Sequence, residues 1–316
     1  MEMLTIHRWQ LVGIGAMLHF LVDGLCLCCL YLMVSPFSIP RMAGVFIAYN
    51  ILAFLTQPLT GLLADRMRQR HWMLLVSVVL LLGAVVAVSF GHPFIRYIVP
   101  VLLGMGNSLF HVWGGKQVVL KAGNDMRALG LFVSTGVFGL SVAMVFFSLP
   151  LLYVFLLLIC VLSLLYLKLE TESEPAAESA AICNRSSTLV LILLVVAFVM
   201  FRSFLGETFS SSIVKDDAVV LLVGLTAMLG KMAGGWMASR MGIMATFAAV
   251  AVVVLGCLLC RSSERAVMLT GLFAVNCTMP VTLYWANGLL KGREGLAFGL
   301  LAAALIPGYL LSTLAS

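Results

Sequence analysis

Long apolar stretches joined by short polar loops are the feature that most limits how this chain can fold. Apolar residues occupy 62% of the 316 positions and charged residues 10%, whereas soluble domains contain about 45 to 50% and about 25%. A bilayer core offers no water to backbone amides, so only helices or a closed barrel can cross it. The apolar stretches here are continuous rather than alternating, which favours helices. The sequence therefore predicts an all-α integral membrane protein.

With about 20 apolar residues per span, the sequence predicts eleven transmembrane helices. The predicted spans are residues 9–34, 41–64, 71–90, 95–119, 127–147, 150–168, 188–211, 217–239, 242–260, 265–290 and 295–315. A long acidic stretch, KLETESEPAAESAAICNRSST, separates the sixth span from the seventh, and its composition is typical of a linker. The predicted organisation is an N-terminal six-helix half at 1–168, a cytoplasmic linker at 169–187 and a C-terminal half with five helices at 188–316.

The distribution of basic residues predicts the orientation. Thirteen of the 19 lysines and arginines, Lys231 among them, fall on the same side of the predicted membrane as the N-terminus, five fall on the other side, and Arg202 lies within a span. Cytoplasmic loops carry the basic excess, so the N-terminus is predicted to be cytoplasmic. No small-residue cleavage site follows the first apolar segment, which is predicted to remain as a span. We expect a multi-pass protein of a bacterial inner membrane whose charge of +6 requires no nucleic-acid partner.

Seven of the eight cysteines lie in apolar stretches and are interpreted as small buried hydrophobic residues. Cys257 and Cys260 form a CxxC pair, but no second pair or histidine cluster accompanies them, as a structural metal site usually requires. The sequence also contains no nucleotide-binding glycine loop with lysine, no H-E-x-x-H and no G-x-S-x-G motif. We therefore expect no metal, no cofactor and no enzymatic activity.

The strongest local motif is QPLTGLLADRMRQR at the predicted end of the second helix. Gly61 lets two helices approach closely, Asp65 is an acceptor at the helix end, and Arg66 and Arg70 belong to a basic loop. This pattern resembles the G-x-L-x-D-R-x-G-R-K-R signature between the second and third helices of the major facilitator superfamily. The resemblance implies two helical halves that move against each other, with this loop controlling the movement.

A weaker form of the same motif, LGKMAGGWMASRMG, ends the eighth helix. Gly235 and Arg240 fit the signature, while Ser239 stands where the family has an acid. A related loop after the second helix of each half is what two parallel six-helix repeats predict. The resemblance therefore implies a major facilitator-type bundle of two halves, with about eleven transmembrane helices instead of the usual twelve.

Within the superfamily, the chain is most similar to fosmidomycin-resistance-type efflux proteins. The similarity rests on HFLVDG in the first helix, QPLTG in the second, GMGNSLFH in the fourth and the pair Arg202-Ser203 in the seventh. It implies a secondary active transporter that exports a small amphipathic or anionic drug or metabolite in exchange for protons. The fifth helix lacks the Gly-Pro pair that antiporters of the superfamily commonly carry, which leaves proton-coupled uptake as an alternative. A non-transporting relative that binds a ligand or forms an oligomer is a further alternative.

Charged side chains within spans are candidates for the transport pathway, because a charge at the bilayer centre costs about 2.5 to 3.5 kcal/mol on insertion scales. His19 and Asp23 share one face of the first helix near its middle. An imidazole beside a carboxylate can hold or release a proton, so the two residues are predicted to couple transport to protons. A helix-packing hydrogen bond is the alternative.

Arg202 lies about 21 Å into the seventh helix and is predicted to bind an anionic substrate or to act as a gate. Glu207 lies closer to the outer surface and is a second candidate for the substrate site. The alternatives are ion pairs: Arg202 with Asp23 between the halves, or Glu207 with Arg202 or Lys215.

Polar and aromatic residues on two further helices complete the predicted substrate site. Asn107 and His111 share a face of the fourth helix. Asn276, Tyr284 and Trp285 lie on the tenth helix, which Pro280 is predicted to interrupt. Interrupted helices expose backbone groups to ligands in transporters, although proline kinks also occur in ordinary helix packing.

Overall fold

The computed structural model describes residues 2–35, 38–67, 71–90, 97–123, 125–171, 185–211, 213, 216–260 and 264–315. These residues form eleven helical segments, which we number in chain order. The segments are α1 (Glu2–Val34), α2 (Ile39–Arg66), α3 (Trp72–Phe90), α4 (Val99–Ala122), α5 (Met126–Phe146), α6 (Leu149–Thr171), α7 (Arg185–Ser211), α8 (Asp217–Met241), α9 (Ile243–Leu259), α10 (Arg265–Leu289) and α11 (Glu294–Ala315).

The predicted all-α membrane fold is confirmed, and each predicted span corresponds to one segment. Nine of the segments in the described residues are long and apolar enough to cross a membrane. The other two are α4, whose middle carries several buried polar residues, and α9, whose 17 residues make it short. The largest difference in boundaries is at α1, which begins seven residues before the predicted start.

The first helix lies at the centre of the N-terminal half. It packs against α4, α5 and α6, and Leu18, Leu21 and Leu25 are at most 2% exposed. A helix that is apolar on all faces is expected to be buried on all faces.

Prolines interrupt three helices. A π-helical turn at Ile51–Leu55 precedes Pro58 in α2, and α11 is interrupted at Ala304, three residues before Pro307. The predicted interruption of α10 is confirmed: one helix ends at Asn276 and the next begins at Met279, with Pro280 in its first turn. Proline lacks an N–H group and clashes with the preceding turn, which explains why the regular α-helical hydrogen bonding is interrupted at these positions.

Glycines place equivalent helix pairs in close contact in both halves. In the N-terminal half, a Cβ atom on Gly139 of α5 would overlap the Phe20 carbonyl of α1. In the C-terminal half, a Cβ atom on Gly308 of α11 would overlap the Met200 carbonyl of α7. The pair α1–α5 therefore corresponds to the pair α7–α11, six helices later.

A second glycine contact between helices also recurs six helices later in the chain. Gly104 brings α4 against Leu52 of α2, and Gly234 brings α8 against the Cys277 carbonyl of α10. The pair α2–α4 thus corresponds to α8–α10, as two parallel repeats predict. The two-half organisation with a linker at 169–187 remains a prediction, because residues 172–184 lie outside the described part of the chain.

A buried ion pair closes one end of the N-terminal half. Glu170, which the sequence analysis assigned to the linker, lies in the last turn of α6 and is 5% exposed. Its carboxylate contacts Lys121 Nζ of α4 at 2.8 Å and His71 Nε2 at 2.9 Å. The assignment to the linker was wrong for this residue, because the pairing with Lys121 extends the buried part of the helix beyond the apolar stretch.

We expect Gly139→Ala to lower the free energy of unfolding by about 1 to 3 kcal/mol, the usual cost of overpacking. The added methyl group would meet the Phe20 backbone, which cannot move without displacing α1. Gly256→Ala is the matched control, because no atom lies within 4 Å of its Cβ position. Thermal unfolding in detergent, followed by size-exclusion chromatography, measures both variants. Equal midpoints would contradict the close α1–α5 contact.

Candidate functional site

Four polar side chains from α1 and α4 meet in the middle of the N-terminal half. His19 Nε2 lies 2.9 Å from His111 Nε2 and 3.2 Å from an Asp23 carboxylate oxygen. His111 Nε2 lies 3.4 Å from the other oxygen of Asp23, to which the Asn107 amide donates at 3.0 Å. All four residues are at most 8% exposed. We call His19, Asp23 and His111 the central triad.

Hydrogen bonds to backbone carbonyls fix the tautomers of both histidines in the triad. His19 Nδ1 lies 2.6 Å from the Phe132 carbonyl, and His111 Nδ1 lies 3.0 Å from the Asn107 carbonyl. A carbonyl oxygen can only accept, so both Nδ1 atoms must donate. In the neutral rings, both Nε2 atoms then carry lone pairs that point at each other and at the carboxylate. Three groups that face one another with lone pairs, and with no hydrogen between them, repel one another. The arrangement therefore requires a cation, and one proton shared by the three groups is sufficient.

The fifth helix closes the triad from the side. A Cβ atom on Gly136 would overlap both the Asp23 carboxylate and the His19 ring, so only glycine permits this approach. The Phe132 ring stacks on His19 with 4.9 Å between centroids, and Phe298 of α11 lies 6.5 Å from the His111 ring. The triad is therefore enclosed by apolar groups from both halves, which strengthens electrostatic interactions within it.

Two buried cations of the C-terminal half, Arg202 and Lys231, interact with each other, and Lys231 also interacts with the triad. Arg202 of α7 is 6% exposed, and neither its Nε nor its Nη2 atom has a hydrogen-bond partner among the described residues. The ammonium group of Lys231 on α8 interacts electrostatically with Arg202, Asp23 and His111. Lys231 and the triad therefore bring opposite charges of the two halves into electrostatic interaction, without a direct ion pair between them in the described residues.

Both ion pairs considered for Arg202 are absent from the described residues. No contact within 4.0 Å joins its guanidinium to Asp23 or to Glu207. The Glu207 carboxylate instead accepts from Ser210 Oγ at 3.4 Å on its own helix. The alternative ion pair between Glu207 and Lys215 stays a prediction, because Lys215 lies outside the described residues.

The predicted position of Lys231 at a cytoplasmic helix end was wrong. This lysine was counted with the basic residues at the cytoplasmic ends, but it lies 14 residues into α8, about 21 Å along the helix axis. The position within the predicted span 217–239 was the available signal, since a lysine so far from the helix end cannot extend to the membrane surface.

Two of the three candidates on α10 have partners away from the triad. The Asn276 amide donates to the Leu272 carbonyl of its own helix at 2.8 Å. Trp285 stacks on Phe247 of α9, with 5.1 Å between ring centroids and an angle of 12°. Tyr284, the third candidate, packs with the apolar cluster that α10 and α11 share. These residues shape the C-terminal half, and a role in substrate binding stays a prediction.

An apolar cavity of about 250 Å³ lies beside Arg202 and is partly open to the outside of the bundle, since Phe201, Leu255 and Leu258 in its lining are 42 to 57% exposed. Helices α7, α9 and α10 form its walls, with Phe198, Phe247 and Val254 among the lining residues. Arg202 is the one charged residue in this lining. The surroundings of Arg202 therefore suit a ligand that has a negative charge and an apolar part.

The first motif holds the two halves together at one end of the bundle. Both oxygens of the Asp65 carboxylate accept backbone N–H groups from the first turn of α11, from Gly295 at 2.9 Å and Leu296 at 2.8 Å. A carboxylate at a helix N-terminus interacts favourably with the helix dipole. Lys116 Nζ lies 3.3 Å from the same carboxylate. Gly61 lets the backbones of α2 and α11 touch at this point.

The second motif occupies the corresponding place between α5 and α8. A Cβ atom on Gly235 would overlap the Met126 carbonyl at the start of α5. Arg240 is exposed and lies over the Trp236 ring at 5.2 Å, and Arg66 is also exposed at the end of α2. Arg70 lies outside the described residues. The two halves thus meet at this end through a pair of equivalent glycine contacts, α2–α11 and α5–α8.

We expect Asp65→Ala to speed amide hydrogen exchange in the first turn of α11 about tenfold or more, because hydrogen bonds to charged groups contribute about 1.5 to 3 kcal/mol. Hydrogen-exchange mass spectrometry of peptides covering 294–298 measures this directly. Asp217→Ala is the matched control, since Asp217 is exposed at the start of α8. Unchanged exchange in Asp65→Ala would contradict the role of Asp65 in joining the halves.

Comparison with protein-family models gave no match, and comparison with curated protein sequences gave none. Solved structures do match. The chain is similar to a single-residue variant of the E. coli fucose:proton symporter FucP, with a TM-score of 0.68 and 11% identity, covering 98% of this chain and 91% of that one. FucP in the outward conformation gives a TM-score of 0.62 and 12% identity, over 96% and 91%.

A bacterial homologue of the iron transporter ferroportin, in an outward-facing state, gives a TM-score of 0.56 and 14% identity over 96% of this chain and 90% of that chain. At these identities the likeness concerns the fold. It agrees with the helix pairing described above, in which α1–α5 and α2–α4 recur as α7–α11 and α8–α10. The chain has the major facilitator fold.

Proposed function

We propose that this chain is a secondary active transporter that moves a small organic anion across the bacterial inner membrane, coupled to protons. The observation that carries the proposal is the placement of opposite charges. Asp23 and its histidines belong to the N-terminal half, whereas Arg202 and Lys231 belong to the C-terminal half. In a fold of two halves, a relative rotation can expose such a central site to each side in turn.

The anion is the part of the proposal that Arg202 supports. A buried guanidinium with unsatisfied donors is costly in a membrane protein. A carboxylate, phosphate or phosphonate would satisfy these donors with charge-assisted hydrogen bonds. The apolar cavity beside Arg202 would accept the rest of an amphipathic molecule. We therefore expect substrates with one acidic group and an aromatic or aliphatic body.

The proton is the part that the central triad supports. The two Nε2 atoms and the carboxylate need an additional cation, and a proton shared among them meets that need without movement of the helices. Opening of the site to water would allow this proton to leave. His19 and Asp23 are thus proposed as the proton-coupling residues, together with His111, which was first considered for substrate binding.

Electrostatics favour binding of the proton and the anion together. An anion held at Arg202 and Lys231 adds negative potential near Asp23, which favours the protonated form of the triad. By linkage, a proton in the triad favours the anion to the same degree. Two ligands that bind together are transported together, so symport is the version of the function that this charge arrangement favours. The known proton symporter that shares the fold is compatible with it.

Export in exchange for protons is the second candidate, and the motifs HFLVDG and GMGNSLFH favour it. Exchange requires that proton and substrate exclude each other at a common group. Asp23 would be that group if a substrate displaced the proton from the triad. A protein that binds the anion without transport is the remaining alternative, and transport measurements separate all three.

We expect the wild-type protein in proteoliposomes, with a pH-sensitive dye trapped inside, to show a pH change when phenylphosphonate or benzylphosphonate, which stay charged near neutral pH, is added. Protons entering with the anion indicate symport, and protons leaving indicate exchange. Asp23→Asn should abolish the pH change, because the two histidines lose the negative charge that favours a proton between them in an apolar interior. Asp217→Asn is the matched control and should behave as wild type. An equal pH change in Asp23→Asn would contradict the proposed coupling site.

We expect Arg202→Met to weaken the binding of the same anions about 10- to 100-fold, which corresponds to the loss of hydrogen bonds to a charged group. Titration calorimetry in detergent measures the affinity. Arg240→Met removes an exposed arginine that lies over Trp236 and serves as the control. If the two variants bind equally, Arg202 does not bind the anion.

A further inference from the structure

We propose that the central triad is a binding site for a divalent transition-metal ion such as Zn²⁺, Fe²⁺ or Co²⁺. The ligands are Nε2 of His19, Nε2 of His111 and the Asp23 carboxylate, whose potential ligand atoms all lie within 4.8 Å of one another. This inference goes beyond the proposed transport of an anion and does not depend on it.

The distances within the triad match the edges of a metal coordination shell. The two Nε2 atoms are 2.9 Å apart, and they lie 3.2 and 3.4 Å from the nearer oxygens of the carboxylate. Bonds from zinc to nitrogen or carboxylate oxygen are about 2.0 to 2.2 Å. From those bond lengths, neighbouring ligands are expected about 2.9 Å apart in an octahedron and about 3.4 Å apart in a tetrahedron. A metal ion therefore fits the triad with small shifts of the side chains.

The groups around the triad prepare it for a metal ion. Metal-binding histidines commonly donate their other ring nitrogen to a carbonyl or carboxylate, which fixes the ring and its tautomer. Both histidines do so here, His19 to Phe132 and His111 to the Asn107 carbonyl. The Asn107 side chain donates to the Asp23 carboxylate and orients it. All three ligand groups thus keep a lone pair available for a metal ion, with their ligand atoms close together.

The ligand types favour transition metals over Mg²⁺ and Ca²⁺. Imidazole nitrogen suits zinc, iron, cobalt and nickel, whereas Mg²⁺ and Ca²⁺ prefer oxygen ligands. Two histidines and one carboxylate also leave positions of the metal open for water or another ligand. The metal ion and the proton would occupy the same place, so each should exclude the other.

Substitution of Lys231 distinguishes a metal-binding triad from a triad that only stabilises the structure. Its ammonium group interacts with Asp23 and His111 and therefore opposes a second positive charge in the triad. Lys231→Met should strengthen metal binding, whereas loss of structure would weaken it. An anion bound near Lys231 should also strengthen metal binding, because it offsets the positive charge of the ammonium group.

The experiment titrates the purified full-length protein, freed of any polyhistidine tag, with Co²⁺ and Zn²⁺ in detergent. We expect one ion per chain, visible d–d absorption of Co²⁺ and displacement by Zn²⁺ but not by Mg²⁺. His111→Gln and Asp23→Asn should lose this binding, and Asn107→Ala should weaken it about 10- to 100-fold. His7→Gln is the matched control and should bind as wild type. Binding that is absent in wild type, or unchanged in His111→Gln, would overturn the proposal.

X-ray absorption at the zinc edge of the wild-type protein tests the site without any substitution, which matters if a variant fails to fold. We expect two imidazole nitrogens and additional oxygen ligands. Sulfur ligands would assign the ion to cysteines and overturn the proposal. Because these measurements involve no transport, a failure of metal binding leaves the anion–proton proposal intact, and a failure of transport leaves the metal site intact.

Discussion

The contact between the imidazole Nε2 atoms of His19 and His111, beside the Asp23 carboxylate, is the interaction on which the proposed function depends. Three acceptors at 2.9 to 3.4 Å repel one another unless a cation lies between them. The surrounding helices cannot relieve this repulsion, because both Nδ1 atoms are held by carbonyl groups and α5 touches the triad at Gly136. The fold therefore favours a bound cation in an apolar interior, where such a site is sensitive to hydration and to neighbouring charge.

The contacts between the halves are of a kind that can separate. At the end of the bundle that carries Asp65, the halves meet through backbone contacts at Gly61 and Gly235 and through the hydrogen bonds of Asp65 to α11. Few side chains must leave a pocket when the two halves separate at this end. A modest difference in ligand affinity between the joined and the separated conformation can therefore shift the equilibrium between them. Arg202 and Lys231 lie on one side of the boundary between the halves and Asp23 on the other. In the proposed mechanism, ligands that bind between them change the balance between conformations.

The sequence predicted the fold better than it predicted the site. Continuous apolar stretches define the spans, since the bilayer leaves the backbone no alternative to helices, and spacing alone placed His19 with Asp23 and Asn107 with His111. The sequence did not show that these two pairs meet, because that depends on how α1 crosses α4. It also misplaced Lys231 and Glu170, whose environments are set by helices distant in the chain. Counting charges along the sequence assigns such residues to loops. Contacts such as that of Glu170 with Lys121 depend on the packing of helices that are far apart in the sequence.

Proton uptake on binding of an anion is the measurement that tests the coupling between the halves most directly. The purified protein is placed in weakly buffered detergent solution near neutral pH, and phenylphosphonate is added while the pH is recorded. We expect protons to be taken up in proportion to the bound anion, with Lys231→Met showing a smaller uptake and Asp23→Asn none. Binding of the anion with no uptake, or with uptake that Asp23→Asn leaves unchanged, would contradict a joint proton and anion site.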